Sequence, residues 1–243
     1  MDELVILTIE QIRYDNEKAS YHPVILKSDN EMVLVDCGMP GSLSKIKESA
    51  TAQNVNIDNL TKIVITHQDM DHVGSLAEIK NAYPDIKILA GINEKQYING
   101  EKEPVKAKKL REMFDSLPES QKEMINAIQR MYGTYKPVEV DEVLHDCDIF
   151  PWCGKVEVIS TPGHTPGHIS LYLYEFKTLI SGDALFLQDG ELVISLPMFT
   201  FDMEQARQSV EKFLDYDIDK IVCYHGGVYE GDIKKTLQKI SRT

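Results

Sequence analysis

A chain of 243 residues with 42% hydrophobic side chains fits one large α/β domain or two small ones and can bury a substantial core; one domain, residues 1–243, is the simpler expectation. Lys and Arg number 26 against 39 Asp and Glu, and the resulting formal charge of −13 argues against a nucleic-acid partner or attraction to an anionic membrane surface. The opening Met1-Asp2-Glu3 lacks the cationic start of a secretory signal, and no segment approaches the ~18 apolar residues of a membrane span. Cys37, Cys147, Cys153 and Cys223 are too few and too scattered for a disulfide scaffold, so reduced thiols in a cytoplasmic protein are expected, with Cys37 and Cys223 close to any site their neighbours build.

In chain order, residues 4–9 and 31–36 are β-branched-rich runs that read as strands, with 22–26 as another between them. A polar stretch near 42–50 reads as helix, and Lys62-Ile63-Val64-Ile65-Thr66 as a buried strand. Helix follows from Asp71, then a strand at 86–90. A long stretch at about 93–130 reads as two or three helices inserted into a β-rich pattern; Leu110, Met113, Phe114, Leu117 and Met124 recur in it at helical spacing and serve packing. Lys102, Lys106, Lys108, Lys109 and Arg111 form a solvated helix face there, or alternatively meet an anionic substrate. Strands resume at 141–150, 155–160, 168–174 and 178–181; a helix is expected at 203–214, a strand at 220–224 and a terminal helix at 233–240. Strand groups interrupted by helices in both halves imply layers of helix around paired sheets.

The chemistry gathers where strands end. His67-Gln68-Asp69-Met70-Asp71-His72 packs two imidazoles and two carboxylates into six residues after an apolar run, and an extended exit would put 67, 69 and 71 on one side. Crowding Asp69 with Asp71 raises both pKa values unless a cation neutralises them, which points to metal; a polar loop capping a helix is the simpler alternative. Thr161-Pro162-Gly163-His164-Thr165-Pro166-Gly167-His168 is a Pro/Gly-stiffened loop that can hold an imidazole rigidly. Asp183 and His225 each end a further strand. Four strand exits, each carrying a metal-type ligand, suit Zn, Mn or Fe.

Taken together, HxDxDH at 67–72, TPGHTPGH at 161–168, SGD at 181–183 and YHGG at 224–227 resemble the metallo-β-lactamase superfamily, particularly its glyoxalase II and lactonase branches, over roughly residues 4–228. The resemblance implies an α/β fold, a four-layer αββα sandwich of two mixed sheets flanked by helices, with the site at one edge. It implies two divalent metal ions: His67, Asp69 and His164 at the first, Asp71, His72 and His225 at the second, and Asp183 bridging. Asp36 and His168 would support the ligands from behind, as ligand imidazoles normally donate their other N–H to such a group. His22 and His145 carry no motif and read as surface or packing residues.

The usual first motif of that family is HxHxDH, so Asp69 stands where histidine is common. The substitution makes the site more neutral and favours Fe or Mn more than is usual, with zinc still the first expectation. The resemblance implies metal-dependent hydrolysis of an ester, thioester, lactone or related acyl bond of a small molecule: a hydroxide held by the two ions attacks the carbonyl and Asp71 shuttles the proton. The alternatives are a metal-binding ligand sensor with little turnover and a di-iron redox protein. Acyl-homoserine lactonases carry tyrosine where this chain has Phe186, which cannot donate a hydrogen bond to a lactone, and glyoxalase II carries a glutathione-binding region after the last ligand, where few residues follow His225 here. Phe186, Leu187, Met198 and Phe199 are candidate pocket walls. The 93–130 stretch is a lid or the surface of a homodimer.

Overall fold

The computed structural model describes residues 2–12 and 18–242. Two six-stranded mixed sheets form its centre. The first runs, neighbour by neighbour, Glu3–Ile6, Val24–Lys27, Met32–Val35, Lys62–Ile65, Lys87–Gly91 and Glu142–Leu144. Its first two pairings are antiparallel and its last three parallel. The second runs Gly227–Tyr229, Lys220–Cys223, Thr178–Gly182, Ile169–Leu173, Val156–Ser160 and Ile149–Phe150, antiparallel throughout except where Thr178–Gly182 lies parallel to Lys220–Cys223.

Strand alternation explains the layering. Val33, Val35, Val64 and Leu89 point from the first sheet toward Val158, Leu171, Ile180 and Val222 of the second, making a core between them. The intervening residues face outward: Leu34, Ile63, Ile65 and Ile88 meet Ile46, Leu76 and Ile79 of the Leu43–Ala52 and Leu76–Ala82 helices. On the far side, Tyr172, Leu179 and Ile221 meet Val210, Phe213, Ile233 and Leu237, contributed by the Met203–Lys212 helix, the turn after it and the Ile233–Ser241 helix. These strands are apolar on both faces because both faces are covered, which is why they read as continuous runs and not as alternation. The result is the αββα sandwich.

Several boundaries differ from the sequence reading. Residues 4–9 do not make one strand: the chain turns at Leu7 and Thr8, and Ile9–Ile12 pairs with Lys18–Tyr21 as a separate antiparallel pair. Residues 141–150 likewise divide between the two sheets, with Cys147 in a left-handed conformation (φ 66°) where the chain crosses. The Phe186–Gln188/Glu191–Val193 hairpin was not foreseen, because its short strands carry little hydrophobic pattern.

Helices Lys95–Ile98, Val105–Met113 and Glu119–Tyr132 occupy the expected helical stretch. The last two pack their own small core of Leu110, Ile125 and Ile128 with Phe114, Leu117 and Met124, joined by Met198 and Phe199. No helix among the described residues is long and apolar enough to cross a membrane.

Candidate metal centre

The strand ends converge at one edge of the sandwich. Asp36 follows Met32–Val35, His67 follows Lys62–Ile65, Asp183 follows Thr178–Gly182 and His225 lies just beyond Lys220–Cys223, while His164 sits in the loop joining Val156–Ser160 to Ile169–Leu173. Carboxyl ends of parallel strands open a crevice in α/β sheets, and here both sheets contribute. A register shift between Ile180 and Gly182 turns Asp183 inward, and it requires Gly182 at φ +52°, where a Cβ would press on His168 Nε2.

Two groups of ligand atoms result. His67, Asp69, His164 and Asp183 form one, and Asp71, His72 and His225 the other. The seven residues named from the sequence are therefore brought together, but not by simple alternation. Asp69 is extended (φ −68°, ψ 146°) at the N-cap of the Met70–Val73 helix, so helical spacing sends Asp71 and His72 to the second group while His67 and Asp69 stay with the first. Asp183 faces both groups. Its Oδ2 lies 3.8 Å from His67 Nε2 and 3.4 Å from His164 Nε2, and its Oδ1 lies 3.2 Å from His72 Nε2 and 3.4 Å from His225 Nε2.

A metal pair fits the unsatisfied atoms. His67 Nε2 is buried without a hydrogen-bond partner, and His72 Nε2 and Asp183 Oδ1 face each other at 3.2 Å without well-aligned hydrogen-bond geometry, an arrangement that a cation on the deprotonated nitrogens and the carboxylate would satisfy. The opposite faces of the rings are fully engaged. His72 Nδ1 donates to Asp36 Oδ2 at 2.8 Å; Thr66 Oγ1 donates to the same oxygen at 2.8 Å and meets His67 Nδ1 at 3.1 Å. One buried aspartate thus sets the tautomer of two imidazoles, directly and through Thr66, with both Nε2 atoms left for the centre. Asp36 does this from the left-handed region at φ 61°, a conformation more accessible to Asp than to most residues. His168 has no lone pair to spare: its Nε2 accepts from the Asp183 backbone N–H at 2.9 Å and its Nδ1 meets Thr161 Oγ1 at 2.8 Å. Burial holds His168 well below the usual histidine range, so it is a neutral prop under Asp183.

The electrostatics are mutual. Burial pushes Asp183 and Asp69 up, yet His225 and His72 around the former, and Lys106, His164 and His67 around the latter, hold both carboxyls well below the usual range. Burial opposes charge on His225, but Asp183 and Asp71 push it up to about 9; His72 rises for similar reasons through Asp183, Asp36 and Asp71. Lys106 and the surrounding imidazoles thus offset the crowding of Asp69 and Asp71.

Near the candidate ligands, Glu94 and Tyr132 were not named from the sequence, and Lys106 has a contact that was not foreseen. Glu94 is fully buried and accepts four hydrogen bonds, from Gln68 N and Nε2 (both 2.9 Å), Thr165 Oγ1 (2.7 Å) and Gly167 N (2.8 Å), which ties the His67–Asp69 loop to the His164 loop. Tyr132, the last residue of its helix, donates from its hydroxyl to Asp69 Oδ1 at 3.2 Å. Lys106 forms an ion pair with Asp69 Oδ2, which corrects the solvated-face reading for that residue; Lys109 also turns inward, to the carbonyls of Pro197 (2.9 Å) and Thr200 (2.6 Å). Lys102, Lys108 and Arg111 are exposed, as expected.

The crevice opens into a cavity of about 560 Å³ lined by Asp71, His164, Asp183 and His225 on its floor and by Tyr21, Met70, Ile128, Met131, Phe186 and Phe199 on its walls. Phe186 and Phe199 stand where the sequence suggested. Met198 instead packs on the Leu110 core, and Leu187 packs toward the Phe213 core with its N–H on the His225 carbonyl at 3.0 Å.

Residues 22–225 match the family model of the metallo-beta-lactamase superfamily. The chain belongs to that superfamily. Its relatives include the probable metallo-hydrolase YflN of Bacillus subtilis, 26% identical over 81% of this chain and 76% of that protein. A hydroxyacylglutathione hydrolase of Haemophilus ducreyi is 30% identical over 64% of this chain and 46% of that protein. The solved metallo-beta-lactamase family protein TTHA1429 of Thermus thermophilus superposes with a TM-score of 0.76 at 17% identity, covering 98% of this chain and 78% of that one, so the superfamily fold is shared.

Proposed function

We propose that this protein is a dinuclear metal-dependent hydrolase of small acyl compounds, with thioesters the first bond class to examine. The observation that carries the reading is Asp183, whose two oxygens each face a separate cluster of histidine and aspartate. Supporting it are the superfamily membership and the similarity to a hydroxyacylglutathione hydrolase. His67, Asp69 and His164 would hold one ion, Asp71, His72 and His225 the other, and Asp183 both. Two divalent ions there would polarise an acyl oxygen and make water acidic near neutral pH. Four imidazoles with three carboxylates suit zinc, and the carboxylate of Asp69 widens the fit to iron or manganese.

The chain's own residues divide the remaining work. Asp69 and Asp183 are almost fully buried, with side chains 1% and 2% exposed, whereas the Asp71 side chain, on the cavity floor, is 21% exposed and holds His225 Nε2 at 3.1 Å. Asp71 is therefore the carboxylate placed to take a proton from water and return it to the leaving group. Phe186, its ring 4.6 Å from His225, and the apolar walls exclude bulk water from the floor. Esters, thioesters, lactones and phosphodiesters should be offered to metal-loaded and chelated protein. Chelator-sensitive turnover of an acyl substrate is the expected result, and bound metal with no turnover of any of the four would overturn the hydrolase reading in favour of a ligand sensor.

A further inference from the structure

Lys106 is placed by the fold and not only by its own reach. Gln68, between the candidate ligands His67 and Asp69, donates from its side-chain nitrogen to Glu94 and accepts at its side-chain oxygen from Val105 N at 2.7 Å. That hydrogen bond fixes the first turn of the Val105–Met113 helix to the metal loop and aims the next residue, Lys106, at the crevice. Its ammonium lies beside Asp69 and 5.6 Å from the centre of the Phe199 ring, and the side chain is only 18% exposed. Among the described residues lining the cavity it is the one lysine or arginine, facing walls of Ile128, Met131, Phe186 and Phe199.

Charge defines what such a cavity accepts. Counting only the ions, their three candidate carboxylate ligands and one ionised water, four positive charges would meet four negative ones, so the Lys106 ammonium adds a positive charge beside them at the cavity. Asp69 is already shared among His164, His67 and Tyr132, and an ion on its carboxylate would leave the ammonium needing another acceptor. A buried ammonium without a partner is costly, and the cavity is the open side.

Building on the hydrolase reading, we propose that the substrate is a monoanion: an acyl compound with an apolar body and one carboxylate or comparable group that pairs with Lys106. Lys106 is then a specificity-determining residue, with Phe186, Phe199, Ile128 and Met131 receiving the apolar part.

The test uses S-ethyl monothioesters of straight-chain C5 to C8 diacids whose far end is either a free carboxylate or its methyl ester. These are compared on the metal-loaded wild type and on Lys106→Met and Lys106→Arg, with metal content measured for each. The expected result is a preference of about tenfold or more in kcat/KM for the free acid at one chain length, falling to about parity in Lys106→Met and returning in Lys106→Arg. Calorimetric binding of the same pairs, made as non-cleavable ethyl ketones, reads the same preference when nothing is turned over, which separates failure of this inference from failure of the hydrolase reading. An equal preference in wild type and Lys106→Met would overturn the proposal. So would loss of metal in Lys106→Met with the preference intact, since Lys106 would then serve to balance the charge of Asp69.

Discussion

Removing the Glu94 carboxylate should loosen two loops at once. Glu94→Ala strands the buried backbone N–H groups of Gln68 and Gly167, and an unmet buried donor costs about 1–3 kcal/mol. The Gln68 amide and the Thr165 hydroxyl also lose their acceptor, though both can rotate toward other partners. Burial raises the Glu94 pKa despite those four donors, so the ionised group carries a desolvation cost that its removal relieves. The expected loss for Glu94→Ala is therefore about 2–5 kcal/mol, and about 1–3 kcal/mol for Glu94→Gln, which keeps the volume but turns one amide nitrogen toward a pair of donors. Urea denaturation of the metal-free protein reads this as a lower midpoint with an unchanged slope. A cost below about 1 kcal/mol for Glu94→Ala would refute the claim that this carboxylate binds the loops together.

Asp36→Asn should leave the backbone in place, since Asn tolerates φ near +60°, while weakening the hold on His72 and His67; metal affinity should fall about 10–100-fold in a competition titration, and an unchanged affinity would remove Asp36 from the centre. His225, raised to about 9 by Asp183 and Asp71, must lose a proton to ligate at pH 7, and His72 is shifted in the same direction by Asp183, Asp36 and Asp71. Metal binding at pH 7 should accordingly release protons, read by calorimetry in buffers of different ionisation enthalpy, and tighten as pH rises to about 9. In the metal-free protein the same raised values contribute stability that is complete below the ordinary histidine pKa of about 6.5 and is lost as pH rises through the folded value. Asp71→Asn should lower turnover far more than it lowers stability, and equal turnover would count against a proton-carrying role.

The candidate ligands were legible because His67, Asp183 and His225 follow apolar strands and the others sit in dense motifs beside such strands. Their partition came from the family resemblance and not from local geometry: an extended exit predicts His67, Asp69 and Asp71 together, whereas a helix starting at Met70 divides them. Asp36 could be named from its place at a strand end, but its grip on two imidazoles depends on Thr66, whose hydroxyl carries no sequence signal of its own. Lys106 was hidden among Lys102, Lys108, Lys109 and Arg111, and the packing of its helix on Ile125 and Ile128, with the bond from Val105 to Gln68, sets which of these cations faces the crevice. Glu94 and Tyr132 lie far along the chain from the residues they touch, so periodicity and local spacing are silent about both. The same limit explains residues 141–150, where one β-rich run serves the edges of two different sheets.

The proposed chemistry rests on a pair of ions shared by Asp183. Metal analysis of freshly purified protein and of Asp183→Asn, each with its folded fraction measured, tests it most directly. Close to two equivalents in the wild type and a marked loss in the folded variant is the result expected. Full loading of the variant, or a wild type that binds no transition metal under any supplementation, would contradict the account.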